Sequence, residues 1–427
     1  MAIKFEARHL LTLNDDREIF SPGAIVFDET GILYVGAPDG YSQPVDQEIV
    51  IPEATIMPGL LNGHNHAAMS LMRGLADDSP FFEWLTEHVL PVESRLLPED
   101  IYCGTLLACA EMIRSGTVGF ADMYFEVEQV AKAVQESGLR AWISRGLTES
   151  SQDKLSESVA FCQNWQGQAQ GRIVTMLGPH APYTCPPQFL EQVAEAAVSH
   201  GLGIHIHLSE SRDEIRQIHE RYHKTPIQLA YETGLFKART LIAHGVHIQE
   251  EDLPWLDGLV GGVISCPVSN AKLGNGILPY RMLRDVGVPV GLGTDGPAST
   301  NSLDMFLEMK AMAWMQKVRD GKPESFSAED ALWAATRGTA QVLGHPGGRL
   351  APGAPADFIV VDSRQPHTTP EWDARANLVY SASGADVRYV VVNGAILLRE
   401  GIITTFDERA LLLEAEERAR RLREGKG

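Results

Sequence analysis

A chain of 427 residues with 56 acidic against 36 basic side chains carries a formal charge of -20, and such a surface repels phosphate backbones. A nucleic-acid polymer is therefore not an expected partner, whereas small neutral or zwitterionic ligands, which meet only the local site, stay open. With 44% hydrophobic and 22% charged residues, the chain is too apolar for disorder and long enough to bury a large core without staples.

The opening MAIKFEARHLLTLNDD sets acidic residues where a secretion signal is apolar, and no apolar run approaches the ~18 residues of a membrane span. A cytoplasmic location with no membrane partner is expected. AIKFEARHLLTL, GAIVFDETGILYVG and QEIVIPEATI then read as short strands, the second as a hairpin turning near Glu29-Thr30-Gly31. The same texture returns in ADFIVVDS and VRYVVVNGAILLREG, where Asn393-Gly394 is a strong hairpin signal. Two β-rich ends around a different middle predict one small β-sandwich built from both termini, residues 1–57 and 348–405. The closing stretch, 406–427, reads as a charge-rich, solvated surface helix.

Between these ends, residues 58–347 alternate short apolar runs with amphipathic stretches such as QFLEQVAEAAVSH. Eight candidate strands follow in order: TIMPGLLNGH, TVGFADMY, RAWISRGL, RIVTMLGPH, LGIHIHLSE, TLIAHGV, GGVISCP and VPVGLGTDG. Eight βα units at this length predict an α/β fold of the (β/α)8 TIM-barrel type. The five cysteines (Cys103, Cys109, Cys162, Cys185, Cys266) are odd in number and lack CxxC spacing. They read as small buried hydrophobes, neither a disulfide framework nor a thiolate metal site.

The polar residues collect at the strand ends. His64 and His66 close the first strand, Asp122 the second, Arg145 the third and His180 the fourth. His205, His207 and Glu210 mark the fifth, His244 the sixth, Cys266 and Asn270 follow the seventh, and Asp295 ends the eighth. A barrel gathers these ends on one face, the face that carries active sites. The period of two puts His64 and His66 on one side of their strand. Adding His207 and Asp295 gives three imidazoles and a carboxylate, a set suited to one divalent ion such as zinc with a position left for water. Alternation alone leaves His205 open beside His207; His207 is preferred because it lies nearer the strand's C-terminal end. Glu210 is placed for proton transfer, His244 for orienting the water, and Asp295 for sharing its proton. No lysine lies between Lys154 and Lys224, which argues against a lysine-bridged pair of metals. No GxxxxGK[ST] loop appears, so ATP is not implicated.

PGLLNGHNHAAMSLMRGLADD, LGPHAPYTC, HIHLSES, PVSNAKLGNGILP and GTDGPASTNSLDMFLEMK resemble the 5′-methylthioadenosine/S-adenosylhomocysteine deaminases of the amidohydrolase superfamily. The likeness runs over nearly the whole chain. It implies hydrolytic deamination of a small adenosine-type nucleoside, with His64, His66, His207 and Asp295 as metal ligands and Glu210 as the proton shuttle. It further implies that Glu93 meets the ribose hydroxyls, His180 the purine ring and Arg145 the carboxylate of the homocysteine part. One departure concerns that carboxylate: where a second arginine is expected about a dozen residues on, SSQDKLSES offers only Lys154. Related enzymes acting on triazines, guanine or pyrimidines are the alternative reading. A homo-oligomer is compatible with the sequence.

Overall fold

The computed structural model describes residues 1–148 and 151–425. Eight strands pair in sequence order and in parallel: Leu60–Asn65, Thr117–Tyr124, Arg140–Leu147, Ile173–Pro179, Gly203–Leu208, Thr240–His244, Gly261–Ser265 and Val290–Leu292. They are called the first to eighth barrel strands below, and each overlaps one of the eight expected segments. Helices cover the outside, which is why these strands are apolar runs and not alternating ones. Every residue of Thr117–Tyr124, for example, is buried.

The eighth strand meets the first through a tight seam. Asp295 N donates to His64 O at 3.0 Å, and the Asn62 amide exchanges bonds with Thr294 Oγ1 (2.8 Å) and Thr294 N (3.0 Å). Gly293 permits this approach, since a Cβ there would fall 2.6 Å from His64 N. The seam matters for function because it brings the first and last strand ends side by side.

The outer helices are amphipathic. Pro187–His200 buries Phe189, Leu190, Val193, Ala194 and Ala197 at three- and four-residue spacing and ends on Gly201 in the left-handed conformation.

A second sheet of nine strands draws on both ends of the chain. Its long strand Gln47–Pro58 pairs in parallel with Ile3–Leu11 and antiparallel with Phe358–Asp362, then runs through Gly59 into the first barrel strand. Phe27 and Phe358 sit on strands three places apart in this sheet, so a flat sheet would separate them by about 14 Å. Their rings lie 5.1 Å apart in direct edge-to-face contact, with Phe5 packed beside both and Tyr389 against Phe5. The sheet is thus rolled, and its two flanks face each other as the layers of the expected sandwich. Both expected hairpins form; at the second, Asn393 (φ 51°) and Gly394 (φ 76°) both take positive φ, as a tight two-residue turn requires.

A buried ion pair fastens this sheet to the barrel. Arg140, opening the third barrel strand, reaches Asp357 through Nε at 2.7 Å and Nη2 at 3.1 Å, and holds that carboxyl well below the usual range against the opposing effect of burial.

The C-terminal helix, Glu408–Arg423, corrects one expectation, and residues 426 and 427 lie outside the described residues. It is not simply solvated. Leu411, Ala415 and Leu422 are buried, and Arg418 and Arg421 converge on the fully buried Asp100 of helix Pro98–Arg114. Its surplus of charge hid a narrow apolar stripe. All five cysteines are buried and free, and burial pushes their thiols upward. Among the described residues no helix is long and apolar enough to cross a membrane.

Candidate active site

His64, His66, His207 and Asp295 come together at the C-terminal rim of the barrel. His66 Nε2 lies 3.3 Å from His207 Nε2 and 3.3 Å from Asp295 Oδ1, and His64 Nε2 lies 3.4 Å from the same oxygen. Hydrogen bonds on the far side of each ring fix which nitrogen carries the proton. His66 Nδ1 donates to Met123 O (2.6 Å) and His207 Nδ1 to His180 O (2.8 Å), because a carbonyl can only accept.

For His64 the proton is fixed through two further side chains. Ser144 Oγ donates to Asp122 O at 2.9 Å, so it accepts from His205 Nδ1 at 3.2 Å. His205 Nε2 is left to accept from His64 Nδ1 at 2.7 Å. With the rings neutral, all three Nε2 lone pairs are therefore turned to the same side, two of them 3.3–3.4 Å from one carboxylate oxygen.

That arrangement is a test of fit for a cation. Lone pairs 3.3 Å apart repel unless positive charge lies among them, and His64 Nε2 is a buried nitrogen without a hydrogen-bond partner. Burial pushes His64 down to about 3 and His207 well below the usual range. His66 goes the other way: burial opposes it, but the Asp295 carboxylate raises it to about 9. One positive charge is wanted here, and a divalent ion would supply it in place of a proton. Two overlapping donor sets, His64–His66–His207 and His64–His244–Asp295, each have their ligand atoms within 4.8 Å. The residues fit one divalent ion.

Asp295 is aimed by its surroundings. Its Oδ2 accepts from Ser269 Oγ and Ser299 Oγ, both at 2.7 Å, leaving Oδ1 for the cluster. His244 Nδ1 donates to Asn270 Oδ1 at 3.0 Å, so its Nε2 lone pair points inward, 3.7 Å from Glu210 Oε2. Glu210 is buried; that burial and the nearby Asp295 charge push its carboxyl up to about 8. A carboxyl titrating near neutrality can both take up and return a proton.

The sequence profile of the Amidohydrolase family matches residues 55–397. The chain belongs to that family.

Its relatives sharpen the comparison. The chain is 44% identical, over 98% of both sequences, to a 5-methylthioadenosine/S-adenosylhomocysteine deaminase of Pelotomaculum thermopropionicum. It is 42% identical to a 5′-deoxyadenosine deaminase of Methanosarcina mazei, covering 97% of this chain and 96% of the other. Among solved structures, an adenosine deaminase from Xanthomonas campestris with bound zinc superposes with a TM-score of 0.94 at 30% identity, covering 99% of this chain and 98% of that one.

The remaining expected residues of this amidohydrolase surround that cluster, His180 with its ring 4.8 Å from that of His207. Glu93, on the helical turn Leu90–Glu93, accepts from the hydroxyl of Tyr124 at 2.6 Å, and burial raises its carboxyl. His180 bonds Thr184 Oγ1 through Nδ1 at 2.9 Å and is kept neutral, pushed by burial to about 4. Arg145 meets Glu157, a residue of helix Gln152–Trp165, at 3.2 Å. His205 supports His64 from below and turns no nitrogen to the cluster.

Sequence reasoning assigned no part to Ser269, Ser299, Asn275 or Glu214. Asn275 Nδ2 donates to Glu210 Oε1 at 3.0 Å, and Glu214 accepts from the backbone beside it. For Glu214 a signal existed: Ser211 followed three residues later by Glu is a capping pattern. Nothing in the pattern around the two serines marks them.

Proposed function

We propose that this amidohydrolase deaminates adenosine-type nucleosides, 5′-methylthioadenosine, S-adenosylhomocysteine and adenosine among them, to the inosine analogues and ammonia. The observation that carries this reading is the buried, near-neutral Glu210 carboxyl beside the converging donors. Ammonia leaves poorly from an aromatic ring, so the reaction needs a strong proton donor at the ring nitrogen; displacement of a halide would not. The names of relatives at 42% and 44% identity support the nucleoside class.

His64, His66, His207 and Asp295 would hold one divalent ion, and the bound zinc of the adenosine deaminase neighbour favours zinc. Such an ion is a Lewis acid that brings the pKa of a water toward ~7. Glu210 takes a proton from the attacking water and delivers it to the ring nitrogen next to the carbon that bears the amine. His244, with its Nε2 free, accepts a hydrogen bond that fixes the direction of attack. The water's other proton, shared with Asp295, passes to the amine as the carbon–nitrogen bond breaks and ammonia leaves. His180, held neutral, lies against the purine, and Glu93 receives the ribose hydroxyls with Tyr124 keeping its carboxylate in place.

Ammonia release by metal-quantified protein tests the whole reading, using methylthioadenosine, S-adenosylhomocysteine, adenosine, guanine, cytosine and atrazine. Turnover of the adenosine compounds supports it; silence on all of them, with one ion bound per chain, overturns it.

Two finer predictions attach to the substrate contacts. Glu93→Ala removes charge-assisted hydrogen bonds worth about 1.5–3 kcal/mol, so KM for nucleosides should rise roughly 10- to 100-fold while any activity on free bases stays the same. Steady-state kinetics on adenosine and adenine check this. Arg145 already faces Glu157, so a substrate carboxylate arriving there meets a like charge. Glu157→Gln should therefore raise kcat/KM for S-adenosylhomocysteine about two- to fivefold, the scale of an exposed ion pair, and leave methylthioadenosine unchanged. Equal effects on both substrates would remove Arg145 from the substrate's path.

A further inference from the structure

We propose that Glu214 is a positioning residue that sets the place of Glu210 by gripping its backbone; this rests on Glu210 being the proton carrier. Three residues, Ser209, Glu210 and Ser211, carry the chain from the fifth barrel strand into helix Arg212–Tyr222. Ser209 holds a left-handed backbone, φ 55°, which costs a non-glycine residue about 1–2 kcal/mol and persists only when the surroundings over-determine it.

The surroundings are on view. Glu214 Oε1 accepts from Ser209 N at 3.0 Å and Oε2 from Glu210 N at 2.7 Å. Ser209 O in turn accepts from His247 N at 2.8 Å, so both sides of that residue are tied. Glu214 N is itself bonded to Ser211 Oγ at 3.1 Å, which fixes the carboxylate's own root.

This is more than a helix cap. In the usual reciprocal box the N3 carboxylate bonds the amide of the N-cap residue. Here Ser211 is the N-cap, and the Glu214 carboxylate reaches past it to the two preceding amides, one of them that of Glu210. Both oxygens are used, and Glu214 is fully buried. A capping role alone would leave Glu210 N for water. The grip fixes Glu210 from behind while Asn275 fixes its carboxyl from the front. A glutamine at 214 offers one acceptor, and its NH2 would face an N–H.

Because a shift near 1 Å at a reacting group costs ~10²-fold in rate, losing the grip should act on the chemical step. The expected result for E214Q, assayed as the metal-loaded enzyme on methylthioadenosine, is a kcat lower by about 30- to 100-fold. KM should stay within about twofold, because Glu214 touches no part of the substrate, and the bound metal should stay at the wild-type level. Placed on the E210Q background, E214Q should cost nothing further, since the group it positions is already gone.

Wild-type kcat in E214Q would overturn the proposal. So would a parallel loss of metal and KM, or a full additional loss in the double variant, for then Glu214 serves the fold at large. If E214Q does not fold, E214D, which keeps two oxygens on a shorter arm, decides: a lowered kcat at unchanged KM supports the grip, and wild-type kinetics removes it. A wild-type enzyme inactive on every adenosine compound would instead sink the functional reading on which this rests.

Discussion

Glu210→Gln is expected to lower kcat on adenosine compounds by about 10³-fold, within the 10²–10⁴ that a positioned acid–base group contributes. The substitution keeps the shape of the side chain and its bond from Asn275 Nδ2, and removes only the ability to bind and release a proton. Metal content should stay at the wild-type level, because Glu210 stands beside the donor cluster and not in it. The pH profile gives a second reading. Glu210 must be ionised to take a proton from water, so kcat/KM should fall as pH drops through its pKa. That carboxyl is pushed up to about 8 by burial and by Asp295, and a divalent ion nearby draws it back down. The acidic limb should therefore lie below pH 8 in the wild type and be missing from the residual rate of the variant. A variant within tenfold of wild type, or one that keeps the limb, would transfer the proton chemistry to another residue.

Asp295→Asn should strip the site of its ion. It keeps the volume and can still accept from Ser269 and Ser299, but it removes the one negative charge among three neutral imidazoles. Loss of an outer-shell partner alone typically costs ~10–100-fold in metal affinity, and loss of a charged ligand should exceed that. After dialysis the variant should retain little metal, with ammonia release falling in step. Added zinc should raise the melting temperature of the wild type, because an ion that binds only the folded state stabilises it, and should leave the variant unmoved. Full metal occupancy in Asp295→Asn, with activity intact, would place the ion on other residues, His244 foremost among them. The same variant also removes the charge that lifts His66 to about 9, so any proton resident there leaves with it.

The eight βα units, the hairpins at Thr30 and Asn393, and the positions of His64, His66, His207, Glu210, His244 and Asp295 were all legible in the sequence. The reason is local. A strand repeats every two residues, a barrel presents all its C-terminal strand ends on one rim, and the residue at each end can be read without knowing its neighbours. His64 and Asp295 are far apart in the chain, yet the closing of the first strand on the eighth makes them adjacent.

What the sequence left open depends on contacts between distant segments. Whether His205 or His207 turns to the rim follows from Ser144 on the third strand, which accepts from His205 Nδ1 and so leaves His205 Nε2 to accept from His64. The serines on Asp295 lie on the short helices Pro267–Lys272 and Pro297–Thr300 that follow the seventh and eighth strands, too short for a periodic pattern to mark an inward-facing hydroxyl. The pairing of Arg145 with Glu157 and the docking of the C-terminal helix on Asp100 were likewise invisible, because charge composition says nothing of which partner a side chain will meet. The sequence by itself determined the barrel and the chemistry carried to its rim, since both rest on short-range periodicity. Only the tertiary structure decided which nitrogens turn to the donor cluster, which carboxylate bonds the Glu210 amide and which charges are already paired, because hydrogen bonds between distant segments are set by proximity that no local pattern encodes.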